Sequence, residues 1–143
     1  MSQNAGDKVV LCHGHFNIIH PGHIRYLDYA SKQGSKLVVS IQGDSYFLNS
    51  DRKHHFSEDE RAIGVASIQT VDQVIILGGE SLEKLIKILN PNVLVLGKEF
   101  ESVHENKVVE AVQLIKRLGG ITLFHAGETQ YASADLLSDN LND

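Results

Sequence analysis

Two histidines flank a glycine in the stretch from Gly14 to His23. His20 and His23 are three residues apart, and at the start of a helix this spacing puts both imidazole rings on one face. Gly22 has no side chain that would keep a phosphate away from the amides of the first turn, where the helix dipole adds positive potential. Imidazole can also carry a proton near neutral pH. The stretch therefore predicts a polyphosphate site in which two imidazoles stabilise charge that grows during group transfer.

Other patterns are absent or leave alternatives open. The chain has no Gly-x-x-x-x-Gly-Lys-Ser/Thr loop, and no Gly-x-Gly-x-x-Gly follows its first apolar run. A zinc site is an alternative, because thiolate and imidazole ligands fall within twelve residues. Cys12 and His13 would point to opposite faces of a regular strand, however, and Cys12 is typical of a small core residue. The candidate zinc ligands are Cys12, His13, His15, His20 and His23.

The bulk composition is that of an ordinary globular protein. The length of 143 residues predicts a single domain over residues 1–143. The formal charge of −5 argues against nucleic acid or an anionic membrane as a partner, and one cysteine forms no disulfide framework. No apolar run approaches about 18 residues, and the polar amino terminus is unlike a signal peptide. We therefore expect a cytoplasmic protein with no membrane segment.

Apolar runs alternate with amphipathic segments along the chain. This alternation predicts an α/β fold of three layers, Rossmann-like, with a five-stranded parallel sheet flanked by helices and right-handed crossovers. Strands are predicted at Lys8–His13, Lys36–Gln42, Gln73–Leu77, Asn92–Leu96 and Ile121–Ala126. Helices are predicted from Pro21 to a stop at Gly34, from a cap at Ser57 to about Gln69, from a cap at Ser81 to Leu89, over Glu105–Leu118, and from near Ser133. The inward faces are expected to carry Ile24, Leu27 and Ala30 in the first helix and Ala62, Ile63, Ala66 and Ile68 in the second.

Four segments without periodicity each follow a predicted strand. Because ligands in parallel α/β folds bind at the carboxyl ends of the strands, we expect these segments to share one site. The second has about 14 residues, which is longer than most connections, and such loops are often functional. The four segments are Gly14–His23, Gly43–Phe56, Gly97–Val103 and Gly127–Ser133.

The motif Gly14-x-Phe16-Asn17-x-x-His20-x-Gly22-His23 resembles the Gly-x-Phe-Asp-x-x-His-x-Gly-His signature of the cytidylyltransferase-like nucleotidyltransferases, the HxGH superfamily. Further blocks are similar to glycerol-3-phosphate cytidylyltransferase and closer still to the nucleotidyltransferase domain of ADP-heptose synthase, an enzyme of lipopolysaccharide core biosynthesis. These blocks are Asp44, Arg61, Val71-Asp72-Gln73-Val74 and Pro91-Asn92-Val93-Leu94-Val95. The resemblance covers nearly the whole chain.

The resemblance implies an enzyme that transfers a nucleoside monophosphate from ATP, or from CTP, to a sugar or polyol phosphate. Pyrophosphate is released and Mg²⁺ is required, with no metal ligand assigned to the protein itself. The implied partners are a nucleoside triphosphate and a small phosphorylated acceptor, and a domain of this size can form a homodimer.

Carried over position by position, the resemblance also implies the site residues. His20 and His23 would stabilise the α-phosphate, with Lys53 and Arg61 as further catalytic candidates. Asp44 and Arg52 would face the acceptor phosphate. The nucleotide would be contacted by Gly14, His15, Phe16, Asn17, Gly22, Gly97, Lys98, Tyr131, Ala132 and Ser133.

This sequence departs from the family pattern at three places. Asn17 stands where Asp is usual, Lys98 follows the glycine of the fourth loop instead of preceding it, and Ala132-Ser133-Ala134 replaces Ser-Thr-Thr. Arg61 has an alternative role in a surface ion pair with Glu58 or another carboxylate. The alternative functions are adenylylation of a flavin or pantetheine phosphate, non-catalytic nucleotide binding or regulation, and a zinc-binding structural module.

Overall fold

The computed structural model describes residues 6–16, 19–45, 56–97 and 106–125. Within these ranges strands and helices alternate as the sequence predicts. The strands are β1 Val9–Gly14, β2 Lys36–Gln42, β3 Gln73–Leu77, β4 Val93–Gly97 and β5 Ile121–His125. The helices are α1 Pro21–Ser31, α2 Glu58–Ala66, α3 Leu82–Leu89 and α4 Asn106–Arg117. The helix predicted near Ser133 lies outside the described residues.

The five strands form one parallel sheet in the order β3-β2-β1-β4-β5. The predicted α/β fold with a five-stranded parallel sheet is confirmed. The chain winds outward from β1 to β2 and β3, and then returns to the other side of β1 for β4 and β5. The strand order therefore reverses between β1 and β4, and a ligand site is expected at the carboxyl end of this switch point.

Two apolar clusters cover the two faces of the sheet, which explains why the central strands read as unbroken apolar runs. One cluster packs α1 and α2 against one face, and the other packs α3 and α4 against the opposite face. Buried members of the first cluster include Val10, Cys12, Leu27, Val39, Val65 and Val95. Buried members of the second include Leu11, Val38, Ile86, Leu94, Ala111 and Ile115.

The inward faces of two helices are predicted only in part. Leu27 and Ala30 of α1 are buried, and Ala62 of α2 packs against the first cluster, as expected. Ile24 of α1 is 42% exposed and Ile63 of α2 is 67% exposed, so their placement on inward faces is wrong. The buried residues of α2 are instead Arg61 and Val65. An apolar pattern cannot reveal this face, because a charged residue occupies one of its inward positions.

Side chains from neighbouring segments hold the amino ends of the strands. Asn92 Oδ1 accepts a hydrogen bond from the Val9 amide at 2.8 Å. Asp72 Oδ2 accepts one from the Leu37 amide, also at 2.8 Å. These bonds satisfy donors that would otherwise lack a partner where the ladder begins.

No helix in the described ranges is long and apolar enough to cross a membrane.

Candidate active site

The carboxyl ends of β1 and β4 separate at the switch point. The pairing between these strands ends at Cys12 and Val95, although each strand continues for two more residues, to Gly14 and Gly97. The hydroxyl of Tyr26, from α1, donates a hydrogen bond to the Val95 carbonyl at 2.5 Å. The sheet therefore opens between the two glycines that were predicted to approach the nucleotide.

Helix α1 begins with a capping box made of two imidazoles. His20 is the N-cap residue, and its Nδ1 accepts a hydrogen bond from the Gly22 amide at 3.0 Å. His23 Nδ1 accepts one from the His20 amide at 3.2 Å. A ring nitrogen that accepts a hydrogen bond carries no proton, so in both neutral rings the hydrogen lies on Nε2. The capping box thus fixes the tautomer of both histidines and leaves each with an Nε2–H donor.

The two rings stack on each other, with centroids 4.0 Å apart. Burial, followed by the neighbouring charge of His20, lowers the pKa of His23 from 6.5 to about 4. His23 is therefore neutral at pH 7. Its imidazole is suited to donate a hydrogen bond as an uncharged group.

The structure explains the glycine at position 22 in a way that the sequence did not suggest. A Cβ at this position would lie 2.7 Å from Cε1 and 3.0 Å from Nδ1 of the His20 ring. Any side chain here would force the ring out of the position in which it caps the helix. The predicted approach of a phosphate to the Gly22 amide stays a prediction.

Phe16 packs beside His23. Its side chain is 4% exposed, and its ring centroid is 5.2 Å from that of His23. The backbone has a positive φ of 50°, which costs a non-glycine residue roughly 1–2 kcal/mol. A Cβ at position 14 would lie 3.0 Å from the Phe16 ring, so Gly14 leaves room for it. The predicted contact of Phe16 with the nucleotide stays a prediction, since its side chain packs against protein.

Arg61 and Asp44 meet at the carboxyl edge of β2. Arg61 is 2% exposed, and its Nη2 donates to Asp44 Oδ1 at 2.9 Å. Its Nη1 donates to the carbonyls of Gln42 and His15, and its Nε donates to that of Phe56. The alternative of an ion pair is therefore correct in that Arg61 pairs with another carboxylate, but the partner is not Glu58 and the guanidinium is not at the surface. Glu58 instead accepts a hydrogen bond from the Asp44 amide at 2.8 Å.

A buried polar network lies on the other face of β1, and the sequence did not predict it. Ser40 donates to the Cys12 carbonyl at 3.2 Å, so its oxygen accepts the Nδ1 proton of His13 at 2.8 Å. His13 Nε2 then accepts a hydrogen bond from the Gln42 amide group at 3.1 Å. Burial, followed by the charge of Lys107, lowers the pKa of His13 to about 3. The signal in the sequence was a set of polar residues at the ends of two apolar strands.

The remaining predicted residues lie at the ends of β1 and β4, in the core, or outside the described ranges. His15 lies at the end of β1 with its carbonyl bound to Arg61, and Gly97 ends β4. Cys12 is fully buried, and burial raises its pKa to about 12, which agrees with a core role. No cluster of three metal-binding side chains occurs among the described residues. Predicted site residues outside the described ranges are Asn17, Arg52, Lys53, Lys98, Tyr131, Ala132 and Ser133.

Comparison with known proteins agrees with this geometry. The cytidylyltransferase-like family model matches residues 11–135. The bifunctional protein HldE of Aliarcobacter butzleri is 34% identical over 121 residues, which cover 82% of this chain and 25% of HldE. HldE of Helicobacter pylori is 38% identical over 95 residues, which cover 65% of this chain and 20% of that protein. The chain thus spans about a quarter or less of the length of these relatives.

Solved structures give the same assignment. The lipopolysaccharide core biosynthesis protein of Thermoplasma volcanium superposes with a TM-score of 0.68 at 28% identity, covering 84% of this chain and 95% of that one. Pantoate-β-alanine ligase of Francisella tularensis, at 17% identity and a TM-score of 0.57, shares the fold over 86% of this chain and 60% of its own. The resemblance found in the sequence is therefore confirmed: the chain belongs to the cytidylyltransferase-like family.

Proposed function

We propose that the protein transfers a nucleoside monophosphate from ATP, or from CTP, to the phosphate of a sugar or polyol phosphate in the cytoplasm. Pyrophosphate is the second product. The proposal names the substrates of a family whose chemistry the histidine motif and the fold support.

The capping box of α1 is the observation that carries the proposal. It holds His20 and His23 by their Nδ1 atoms, so both Nε2–H groups are available as donors. Both histidines sit at the positive end of a helix dipole, beside the opening between β1 and β4. Fixed donors of this kind stabilise charge without rearranging when the reaction occurs.

In the proposed reaction an oxygen of the acceptor phosphate attacks the α-phosphorus of the nucleotide. A new P–O bond forms, and the P–O bond to the bridging oxygen breaks, so pyrophosphate leaves with the electron pair. The Nε2–H groups of His20 and His23 donate to α-phosphate oxygens and to the bridging oxygen. Their hydrogen bonds strengthen as negative charge grows there, which lowers the barrier more than it stabilises the bound substrate.

Mg²⁺ fits this site only as a companion of the nucleotide. The described residues contain no acidic cluster that would hold the ion, and the Asp44 carboxylate is paired with Arg61. Mg²⁺ commonly keeps several waters and binds substrate phosphates, where it neutralises part of their charge. We therefore propose that the ion enters with the triphosphate.

The acceptor is proposed to be a sugar phosphate. This choice is supported by the likeness to HldE and to the lipopolysaccharide core biosynthesis protein of Thermoplasma volcanium. ATP is placed before CTP because the sequence is closer to the heptose branch of the family than to the glycerol phosphate branch.

The proposal is tested by measuring pyrophosphate release with Mg²⁺ and each of ATP and CTP. Heptose 1-phosphate, other sugar 1-phosphates, glycerol 3-phosphate, FMN and phosphopantetheine serve as acceptors. We expect release that requires a sugar or polyol phosphate. His20→Ala and His23→Ala should each lower kcat by roughly 10²–10³-fold, the usual loss for one donor of this kind.

A variant that keeps the helix cap separates catalysis from folding. Asn is a favourable N-cap residue, so His20→Asn should retain the stability of α1 while losing activity, whereas His20→Ala also loses about 0.5–2 kcal/mol of capping free energy. Release that depends on FMN or phosphopantetheine alone would replace the proposed acceptor. Undiminished release by His20→Ala, or nucleotide binding without turnover for every acceptor, would refute the proposal.

A further inference from the structure

Arg61 connects three separate segments at the carboxyl edge of the sheet. Its Nη1 donates to the Gln42 carbonyl at 2.6 Å, at the end of β2, and to the His15 carbonyl at 2.9 Å, after β1. Its Nε donates to the Phe56 carbonyl at 3.1 Å, just before α2. A guanidinium is planar and offers donors in several fixed directions, so one side chain can hold all of these acceptors.

The same guanidinium also holds the residue at which the chain leaves β2. Nη2 donates to Asp44 Oδ1 at 2.9 Å, and the side chain of Arg61 is only 1% exposed in this pair. Glu58 accepts a hydrogen bond from the Asp44 amide at 2.8 Å. Asp44 is thus fixed through its carboxylate and its amide by two residues of the first turn of α2. This arrangement is a bound unit within the fold and does not present Arg61 at the surface.

These contacts hold Asp44 and Phe56, two described residues on either side of residues 46–55 in the sequence. Asp44 precedes the segment and Phe56 follows it, and both bind Arg61. The segment contains Arg52 and Lys53, which the sequence predicts for the acceptor phosphate and for catalysis. The third contact, the His15 carbonyl, belongs to the loop predicted for the nucleotide. Among the described residues, Arg61 therefore joins Asp44, predicted for the acceptor, to His15, predicted for the nucleotide.

We propose that Arg61 is a positioning residue, which sets Asp44, on the acceptor side, relative to His15, on the nucleotide side, and does not itself contact a phosphate. The proposal rests on the nucleotidyl transfer proposed above. A phosphate that reached this guanidinium would have to displace its partners, because the Arg61 side chain is buried while that of Asp44 is 37% exposed. Lysine cannot replace it, because one ammonium cannot reach acceptors in so many directions.

The first experiment measures amide hydrogen exchange in the ligand-free protein, so it does not depend on the proposed activity. Wild type, Arg61→Lys and Asp44→Asn are compared, with Arg117→Lys on the exposed end of α4 as the matched control. In Arg61→Lys and Asp44→Asn we expect faster exchange of the amides of residues 43 and 44. In the wild type the Gly43 amide bonds to the Leu77 carbonyl and the Asp44 amide bonds to Glu58. Exchange in the paired residues of β1 and β4 should stay at the wild-type rate.

The second experiment measures kcat and both KM values for the same variants. Because small displacements of reacting groups can reduce rates by roughly 10²-fold, Arg61→Lys is expected to lower kcat/KM by about this factor. Asp44→Asn should produce a similar loss. In the double variant the losses should not multiply, since the two residues act as one unit.

The results separate the two proposals. Losses that multiply in the double variant, or unchanged exchange at Gly43 and Asp44, would overturn the positioning role of Arg61. Exchange that rises equally throughout the chain would overturn it as well, by reducing the effect to global stability. If the wild type transfers no nucleotide, the proposed function fails, while the exchange experiment still decides what Arg61 holds.

Discussion

Histidine side chains have two distinct tasks in this protein. His20 and His23 cap a helix through Nδ1, so the hydrogen of each ring lies on Nε2. His13 is enclosed in a network with Ser40 and Gln42, in which each ring nitrogen has a partner. The first pair offers donors to a ligand, whereas the third ring holds together the carboxyl ends of β1 and β2.

The burial of His13 predicts that acid destabilises the protein. Its pKa is about 3 in the folded state and near 6.5 when unfolded, so between these values the unfolded chain binds the extra proton. Stability is therefore lost as the pH falls below 6.5. At pH 5 the contribution of His13 is a loss of about 2 kcal/mol relative to pH 8. The lowered pKa of His23 acts in the same direction.

Urea unfolding at pH 8, 6.5 and 5 measures this dependence. His13→Asn removes the titrating group, so its free energy of unfolding should change less with pH than that of the wild type, by about 2 kcal/mol over this range. The variant loses hydrogen bonds and starts from a lower value at pH 8. Parallel curves for the two proteins would contradict the assignment of the effect to His13.

At the scale of elements, helix α1 combines a structural start with the candidate chemistry. Its N-cap and N3 residues are the two histidines, and Gly22 provides the space for the first ring. A conventional N-cap such as Ser or Asp would begin the helix equally well. In the proposed function, imidazole differs from these caps because its Nε2–H group remains as a donor.

Gly22→Ala should damage activity far more than stability. The added methyl would lie 2.7 Å from Cε1 of His20 and displace the ring, while alanine itself is favourable in helices. We expect kcat to fall by at least roughly tenfold, with the free energy of unfolding changed by less than about 1 kcal/mol. Gly79→Ala is the matched control, because a Cβ there meets nothing within 4 Å. Equal activities of the two variants would contradict this role.

The elements were more predictable than their contacts. The strands were predicted to within about one residue at their starts and ends, because strands buried on both faces are continuous apolar runs between glycines and polar loops. The inward face of α2 was predicted only in part, because Arg61 occupies an inward position that hydrophobic periodicity assigns to apolar residues. The network of His13 also depends on the register that sets this residue beside Ser40. The sequence of one strand does not determine its register with a neighbour.

The histidine motif was predictable for a different reason. Its residues are adjacent in sequence, so helix geometry alone brings His20 and His23 together. Asp44 and Arg61 were recognised only through resemblance, and their direct bond requires the folded positions of β2 and α2. The histidine pair could thus be predicted from the sequence alone, whereas the contact between Asp44 and Arg61 could not.

At the scale of the whole molecule, the two ends of the sheet have separate tasks. The amino ends are held by side chains such as Asn92 and Asp72, which accept hydrogen bonds from strand amides. The carboxyl ends carry the opening between β1 and β4 and the histidine pair. Substitutions at the first end should change stability, and those at the second should change turnover.

Asn92→Ala tests this separation. It leaves the Val9 amide without its side-chain acceptor, which should cost about 1–3 kcal/mol of unfolding free energy. The kcat of the folded protein should equal that of the wild type, because Asn92 lies at the opposite end of the strands. Gln113→Ala, at an exposed position of α4, is the control for losing an amide side chain. A lower kcat at full folding would show that the two ends are coupled.

The buried thiol of Cys12 has a practical consequence. It is the single cysteine of the chain, it lies in the central strand between β2 and β4, and its pKa is raised to about 12. A thiol-reactive reagent can modify it only in molecules whose sheet has come apart, so the labelling rate under native conditions measures how often that happens. A compound that binds the folded protein slows this labelling by the factor 1 + [L]/Kd. One intrinsic residue thereby allows nucleotides and acceptor phosphates to be screened for binding before any turnover is known.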